Sequence, residues 1–321
     1  MLNVIPRLIK TALNHEGCLR RIGFMSATKI LIIGVSGMLG HVLFSKLSED
    51  SSLEVHGTAR SRKMLQNCFA PALMDKIRQD VNAEDVESIE RALADVRPDI
   101  VINCVGIVKQ LPIAKDPIIS ISINSLFPHQ LAKACKTADA RLIHFSTDCV
   151  FSGNKGNYTE QDPSDADDLY GRTKYLGEVS DPHCLTLRTS IIGHELKGAH
   201  GLVDWFLSQT SNVKGFTKAI YTGFPTVEIA RILKNYVFHR TDLSGLYHVS
   251  SDPISKYDLL RLIALRYEKT VEIEPYAGFV CDRSLDSTHF RAKTGYIPPS
   301  WQELIKEMRT DYQEHHKPAI Q

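Results

Sequence analysis

Residues 29–44, KILIIGVSGMLGHVLF, constrain this chain more than any other stretch. An unbroken apolar run leads into glycines at Gly34, Gly37 and Gly40, and apolar residues then return at helical spacing. A strand with no polar alternation is buried on both faces, which requires a parallel sheet with helices above and below it. Further strands follow in LEVHGTA (53–59), in the nearly all-apolar RPDIVINCVG (97–106) and in RLIHFST (141–147), separated by the amphipathic segments MLGHVLFSKLSED, AEDVESIERALADV and INSLFPHQLAKACKTAD. The alternation predicts an α/β fold over residues 28–188. It is a Rossmann-like, doubly wound parallel sheet whose ligands bind at the carboxyl ends of the strands.

From residue 189 to residue 321 the regular alternation loosens. GLVDWFLSQT, PTVEIARILKNYVFH, ISKYDLLRLIALRYEK and SWQELIKEMRTDYQEHHK carry helical periodicity, and GLYHVSS reads as a short strand. A smaller, mostly helical C-terminal lobe is expected there, mainly for substrate, with some crossing of the chain between the two parts. Residues 1–27 form an N-terminal extension with Arg7, Lys10, Arg20 and Arg21, and without a continuous apolar region or a small-residue cleavage site, so a signal peptide is not expected. A start at Met25 and a loosely docked helix both remain open.

Composition excludes several classes. With 38 basic and 37 acidic residues the formal net charge is +1, which gives no electrostatic case for nucleic acid or a membrane surface as a partner. No apolar run reaches the roughly 18 residues that a spanning helix needs. The 7 cysteines are dispersed with no C-x-x-C pair, the pattern of reduced thiols in a cytoplasmic protein. No spacing suits a metal; HELKGAH (194–200) lacks the H-E-x-x-H arrangement.

Glycines at the strand-to-helix junction let the backbone approach a pyrophosphate and aim helix N-terminal amides at it. Gly34, Gly37 and Gly40, with Ser36, Met38 and Leu39 among them, form such a junction, although a plain tight turn has the same appearance. Met38 occupies the position that a G-x-S-x-G nucleophile elbow gives to glycine, and no Gly-Lys-Ser/Thr follows as in a phosphate-binding P-loop. The next strand ends in Arg60-Ser61-Arg62-Lys63, without the acid that accepts from a ribose 2′-hydroxyl. A cationic tip suits a 2′-phosphate, so NADPH is expected, with NADH open; a solvated basic loop is the alternative. Asp80-Val81 can meet an adenine ring, and Asn103, Cys104, Val105 and Gly106 can run past the riboses.

Tyr170 and Lys174 lie at i and i+4, on one face of a helix. An ammonium beside a phenol lowers the phenol pKa, which lets tyrosine trade a proton with a carbonyl or alcohol. Lys174 can also hold a nicotinamide ribose, and Thr147, ending RLIHFST, can donate to the same substrate oxygen. An acid, a hydrogen-bonding partner and a hydride carrier make up the set that a carbonyl reductase needs.

GVSGMLG, STDCVFSG, YGRTKYLGE, LRTSIIG and PTVEIA together make the chain similar to the extended short-chain dehydrogenases/reductases, and among them to the dTDP-4-dehydrorhamnose reductase family. The resemblance covers about residues 28–310. It implies a Rossmann NAD(P)-binding domain and reduction of the C4 keto group of a nucleotide-linked 6-deoxyhexose. By motif position it makes Thr147, Tyr170 and Lys174 the catalytic triad and brings Thr189 to the nicotinamide. Two positions depart from the family pattern: Cys149 where an aromatic residue is usual, and Ile191 where a tryptophan often packs on the sugar. With Asp148 they would line the hexose pocket, which points to a related nucleotide sugar for capsule or O-antigen. Lys109 and Arg283 are candidates for carboxylate or pyrophosphate contacts. Related dehydratases carry Glu at the position of Cys149, so dehydration is not expected. Epimerisation, a non-catalytic NADP-binding regulatory subunit and a homodimer stay open.

Overall fold

The computed structural model describes residues 27–315, so nearly all of the N-terminal extension lies outside the described residues. In chain order the strands are β1 (Thr28–Ile33), β2 (Leu53–Thr58), β3 (Ile77–Arg78), β4 (Ile100–Asn103), β5 (Arg141–Thr147), β6 (Cys184–Thr189), β7 (Ile191–Ile192), β8 (Val213–Tyr221), β9 (Phe224–Pro225), β10 (Gly245–His248), β11 (Ile254–Ser255) and β12 (Ile273–Asp282).

Seven of them form one parallel sheet in the order β10-β6-β5-β4-β1-β2-β3. Strand order reverses between β1 and β4, and the crevice outside the carboxyl ends of the strands at such a switch point is where doubly wound sheets bind ligands. The period-2 geometry of β1 explains its continuous apolar run: Ile30 and Ile32 face one core, while Leu31 and Ile33 face the other. The first core holds Leu43, Phe44 and Leu47 from the helix Met38–Ser48, together with Leu304 and Ile305 from the last helix, Trp301–His315. The second holds Ile89 and Leu93 from the helix Val86–Val96, and Leu131 and Cys135 from the helix Phe127–Thr137.

The C-terminal lobe has more strand than helical periodicity alone suggests. Besides its helices it contains a three-stranded sheet, β11-β8-β12, in which β12 runs parallel and β11 antiparallel to β8. β12 is an edge strand with Pro275, a register shift between Tyr276 and Val280, and mostly exposed side chains, so it lacks the alternation that marks a strand in sequence. The expected crossing of the chain is made by β10, which leaves the lobe and pairs with β6, His248 opposite Arg188.

The glycines at the first junction have separate tasks. Gly34 adopts φ +92°, and a side chain at Gly40 would come within 2.2 Å of the Gly34 carbonyl oxygen, so only glycine allows this helix to start so close to β1. Gly37 is different: a Cβ there would meet nothing nearer than 3.7 Å. We predict that Gly40→Ala lowers unfolding free energy in chemical denaturation by about 3 kcal/mol. Gly37→Ala should leave it within about 0.5 kcal/mol of the parent, as expected for a site with room.

Candidate active site

The helix that begins after Gly37 has no side-chain cap, whereas the helices after Asp85, Asp168 and Ser255 are each capped by those residues. Its first-turn amides and the positive end of its dipole therefore face the crevice without a resident acceptor. Ser36 is exposed and Met38 half-buried at this turn; Leu39 turns inward to the core. On the opposite wall the Cys104 amide donates to the Ile33 carbonyl at 3.0 Å, holding the 104–106 loop against the end of β1. The concavity, its bare amides and the absent Cβ of Gly37 fit a dinucleotide pyrophosphate.

Arg60 is exposed at the tip of β2 with no ion-pair partner among the described residues, while its neighbour Arg62 pairs with Asp75 at 3.3 Å. Asp80 projects at the end of β3 in the left-handed region, φ +59°, and with Val81, Ser88 and Arg91 borders a cavity of about 200 Å³. Asn103 is buried; its side-chain oxygen accepts from the Val105 amide at 3.0 Å, and its amide group donates to His144 Nδ1 at 3.1 Å. A Cβ at Gly106 would lie 3.9 Å from Lys174 Nζ, so this loop passes directly over the lysine.

Tyr170, Lys174 and Thr147 converge at the carboxyl edge of the sheet. Thr147 ends β5, and Tyr170 and Lys174 lie on the short helix Leu169–Leu176, capped by Asp168, which accepts from the Gly171 amide at 2.7 Å. Gly171 lets this helix approach closely, since a Cβ there would fall 2.1 Å from the Cys149 carbonyl oxygen. The Thr147 hydroxyl donates to Asp148 at 3.1 Å and accepts from the Cys149 amide at 3.1 Å.

The ionisation of the pair differs from the expectation. Burial pushes the Tyr170 phenol up, only partly opposed by its hydrogen bond with Thr147, and the Lys174 ammonium is not among the largest influences on it. The reason is where the ammonium points: Lys174 Nζ donates to the Phe145 carbonyl at 2.7 Å. Burial brings the Lys174 pKa down to about 8, with Glu178 opposing the change. In this arrangement Tyr170 is a neutral proton donor at neutral pH, and Lys174 is a cation close to its midpoint.

Around the mouth, Lys109 pairs with Asp168 at 2.5 Å, so its charge is already engaged at the cap of the Tyr170 helix. Arg283 donates from Nε to the Phe151 carbonyl at 2.7 Å and faces the Cys149 sulfur at 3.6 Å. Asp148 is buried, and desolvation raises its carboxyl pKa despite Arg283 nearby. Burial likewise pushes the Cys149 thiol up to about 12, which makes it a packing residue rather than a nucleophile. Thr189 is buried beside Thr147 on the adjacent strand, and half-buried Ile191 begins β7.

Two residues of the site escape sequence reasoning. Asn124 is buried in a π-helical turn, Ile121–Leu126. Its side-chain oxygen accepts from the Ile107 amide at 2.9 Å, and its amide group reaches Thr173 at 3.4 Å, tying the 104–107 loop to the Tyr170 helix. Glu178, four residues beyond Lys174, accepts from Ser146 and Arg188. In sequence it is the last residue of YGRTKYLGE, but nothing local shows its partners.

Comparison with known proteins agrees with this architecture. The family model described as "RmlD substrate binding domain" matches residues 28–314. The chain is similar to "Probable low-salt glycan biosynthesis reductase Agl14" of Haloferax volcanii, 30% identical over 190 residues, 58% of this chain and 57% of that protein's length. It is 28% identical over 301 residues to the spore coat polysaccharide biosynthesis protein SpsK of Bacillus subtilis, covering 87% of this chain and 96% of that one. Among solved structures, the dTDP-4-dehydrorhamnose reductase of Bacillus anthracis in complex with NADP superposes with a TM-score of 0.71 at 19% identity, over 88% of this chain and 99% of that one. A seven-stranded doubly wound sheet, its glycine junction and a family match running from the first strand into the last helix leave one conclusion: the chain belongs to the RmlD substrate binding domain family.

Proposed function

We propose that this protein is an NADPH-dependent reductase of a nucleotide-linked 4-keto-6-deoxy sugar, making a precursor of surface polysaccharide such as capsule or O-antigen. The observation that carries the reading is the convergence of Tyr170, Lys174 and Thr147 beside the uncapped helix and the Gly106 loop. The names of similar proteins, a glycan biosynthesis reductase and a spore coat polysaccharide protein, support the same class of substrate.

Bound NADPH supplies the hydride. Gly34, Gly37 and Gly40 seat the pyrophosphate, Arg60 meets a 2′-phosphate, Asp80 and Val81 border the adenine, and Asn103 to Gly106 with Thr189 flank the riboses and the nicotinamide. Lys174 binds the ribose hydroxyls and stabilises the charge that develops when Tyr170 gives up its proton. Tyr170 protonates the carbonyl oxygen of the sugar, and its burial keeps the phenol in the donating form. Thr147 turns its hydroxyl from Asp148 toward that oxygen. Asp148, Cys149 and Ile191 line the hexose, smaller at two positions than an aromatic wall, while Arg283 approaches the diphosphate and Lys109 reaches it by leaving Asp168. The free thiols of the described cysteines fit a cytoplasmic setting.

We further propose a homodimer through the apolar face formed by Ile118, Ile121 and Leu126 with Tyr175 and Leu176, of which Ile118 is 76% and Leu176 60% exposed. Light scattering should give twice the chain mass, and Ile118→Asp with Leu176→Asp should give a monomer.

With a panel of nucleotide-linked 4-keto-6-deoxysugars, Tyr170→Phe should cut turnover about 10³-fold while NADPH binding persists. Tight NADPH binding with no turnover of any sugar would favour an epimerase or a regulatory subunit instead. Because the Lys174 ammonium is needed and its pKa lies at about 8, turnover in the parent should decline as pH rises through that value.

A further inference from the structure

Glu178 lies outside every role assigned so far, yet it is more tightly held than any residue of the proposed catalytic set. Its Oε1 accepts from Ser146 Oγ at 2.6 Å and from Arg188 Nε at 2.7 Å, and its Oε2 accepts from Arg188 Nη2 at 2.7 Å. Arg188 is 2% exposed, and its remaining terminal nitrogen, Nη1, faces His248 Nε2 at 3.2 Å. Guanidinium only donates, so that histidine nitrogen is an acceptor and the ring proton is on Nδ1, which donates to the Tyr158 carbonyl at 3.0 Å. Ser146, Arg188 and His248 are register neighbours on β5, β6 and β10, forming one polar row across the sheet.

This row is placed where the chemistry needs rigidity. Ser146 lies between Phe145, whose carbonyl holds the Lys174 ammonium, and Thr147. Glu178 follows the helix of Tyr170 and Lys174, which has 8 residues and is too short to be stable without tertiary contacts. Asp168 fixes its beginning; just beyond its end this fork fixes the side chain of Glu178 to the sheet, and Thr186 Oγ1 on β6 ties down the next residue, donating to the Val179 carbonyl at 2.7 Å and accepting from its amide at 3.3 Å.

We propose that Glu178 is a positioning residue: docked on the Ser146–Arg188–His248 row, it locks the Lys174 ammonium against β5 and holds Tyr170 in register with Thr147. The inference takes the roles of Tyr170 and Lys174 from the reductase reading. The charged and titratable groups facing this region are Lys174 and Tyr170 on the helix, neutral His144 on β5, Arg188 on β6, and His248 with Glu160 beside β10. Of these, Glu178 is the group that sustains the Lys174 cation.

Two variants test it. Glu178→Gln keeps the shape of the fork and removes its charge; Ser146→Ala spares the Glu178–Arg188 pair and keeps the test alive should Glu178→Gln fail to fold. The Lys174 midpoint is read by NMR of lysine labelled at its terminal carbon, assigned with Lys174→Met and needing no substrate. It should move down by about one pH unit in Glu178→Gln. In Ser146→Ala, kcat should fall about tenfold or more with KM little changed and with NADPH still bound. Parental kcat in Ser146→Ala, or a folded Glu178→Gln with an unmoved Lys174 midpoint, would overturn the proposal. A shifted midpoint in a protein that turns over no sugar would support it and count against the reductase reading instead.

Discussion

The architecture depends on one close approach, the first helix against the first strand. With 2.2 Å between a notional Cβ at Gly40 and the Gly34 oxygen, the helix begins almost on top of the strand end. That contact aims uncapped amides into the crevice between β1 and β4 and frees the opposite face of the helix for Leu43, Phe44 and Leu47 to enter the larger core. The same apolar core then seats the helices of the C-terminal lobe, so the crevice and the packing of the second half share one anchor.

A second layer of organisation is electrostatic. The short helix bearing Tyr170 and Lys174 is held at its start by Asp168, which is engaged with Lys109, and beyond its end by the Glu178–Arg188 fork. Burying an ion pair costs desolvation, and pairs of this kind seldom add net stability. What a bidentate fork contributes well is direction: two parallel bonds fix an orientation that a single contact leaves loose. Lys174 illustrates the result, since its ammonium is aimed at the Phe145 carbonyl rather than at the phenol four residues away.

Much of this was legible in the sequence, for physical reasons. Strands buried on both faces are mostly apolar, so β1 and β4 announced themselves, while β5 combines apolar residues with the buried His144, Ser146 and Thr147; the helices between them carried clear periodicity. Gly34, Gly37, Gly40, Thr147, Tyr170 and Lys174 could be placed together because topology brings the ends of parallel strands to one edge. β8 and β12 stayed hidden because their faces are mixed and one carries a proline and a glycine. The ionisation of Tyr170 was misjudged because i,i+4 spacing gives proximity of backbones and says nothing about which acceptor a flexible lysine selects. Asn124 and Glu178 act through partners far away in sequence, and local pattern carries no record of those.

The return of β10 to the central sheet has a consequence for how the protein can be divided. Without Gly245–His248, β6 would end the sheet with an open row of amides and carbonyls along buried apolar residues. Such an edge invites pairing with another chain. A fragment ending near residue 188 would therefore be sticky rather than a free-standing nucleotide-binding unit. Evolution could exchange surface loops of the second half far more readily than the whole half, because the strand that seals the first half is encoded inside the second.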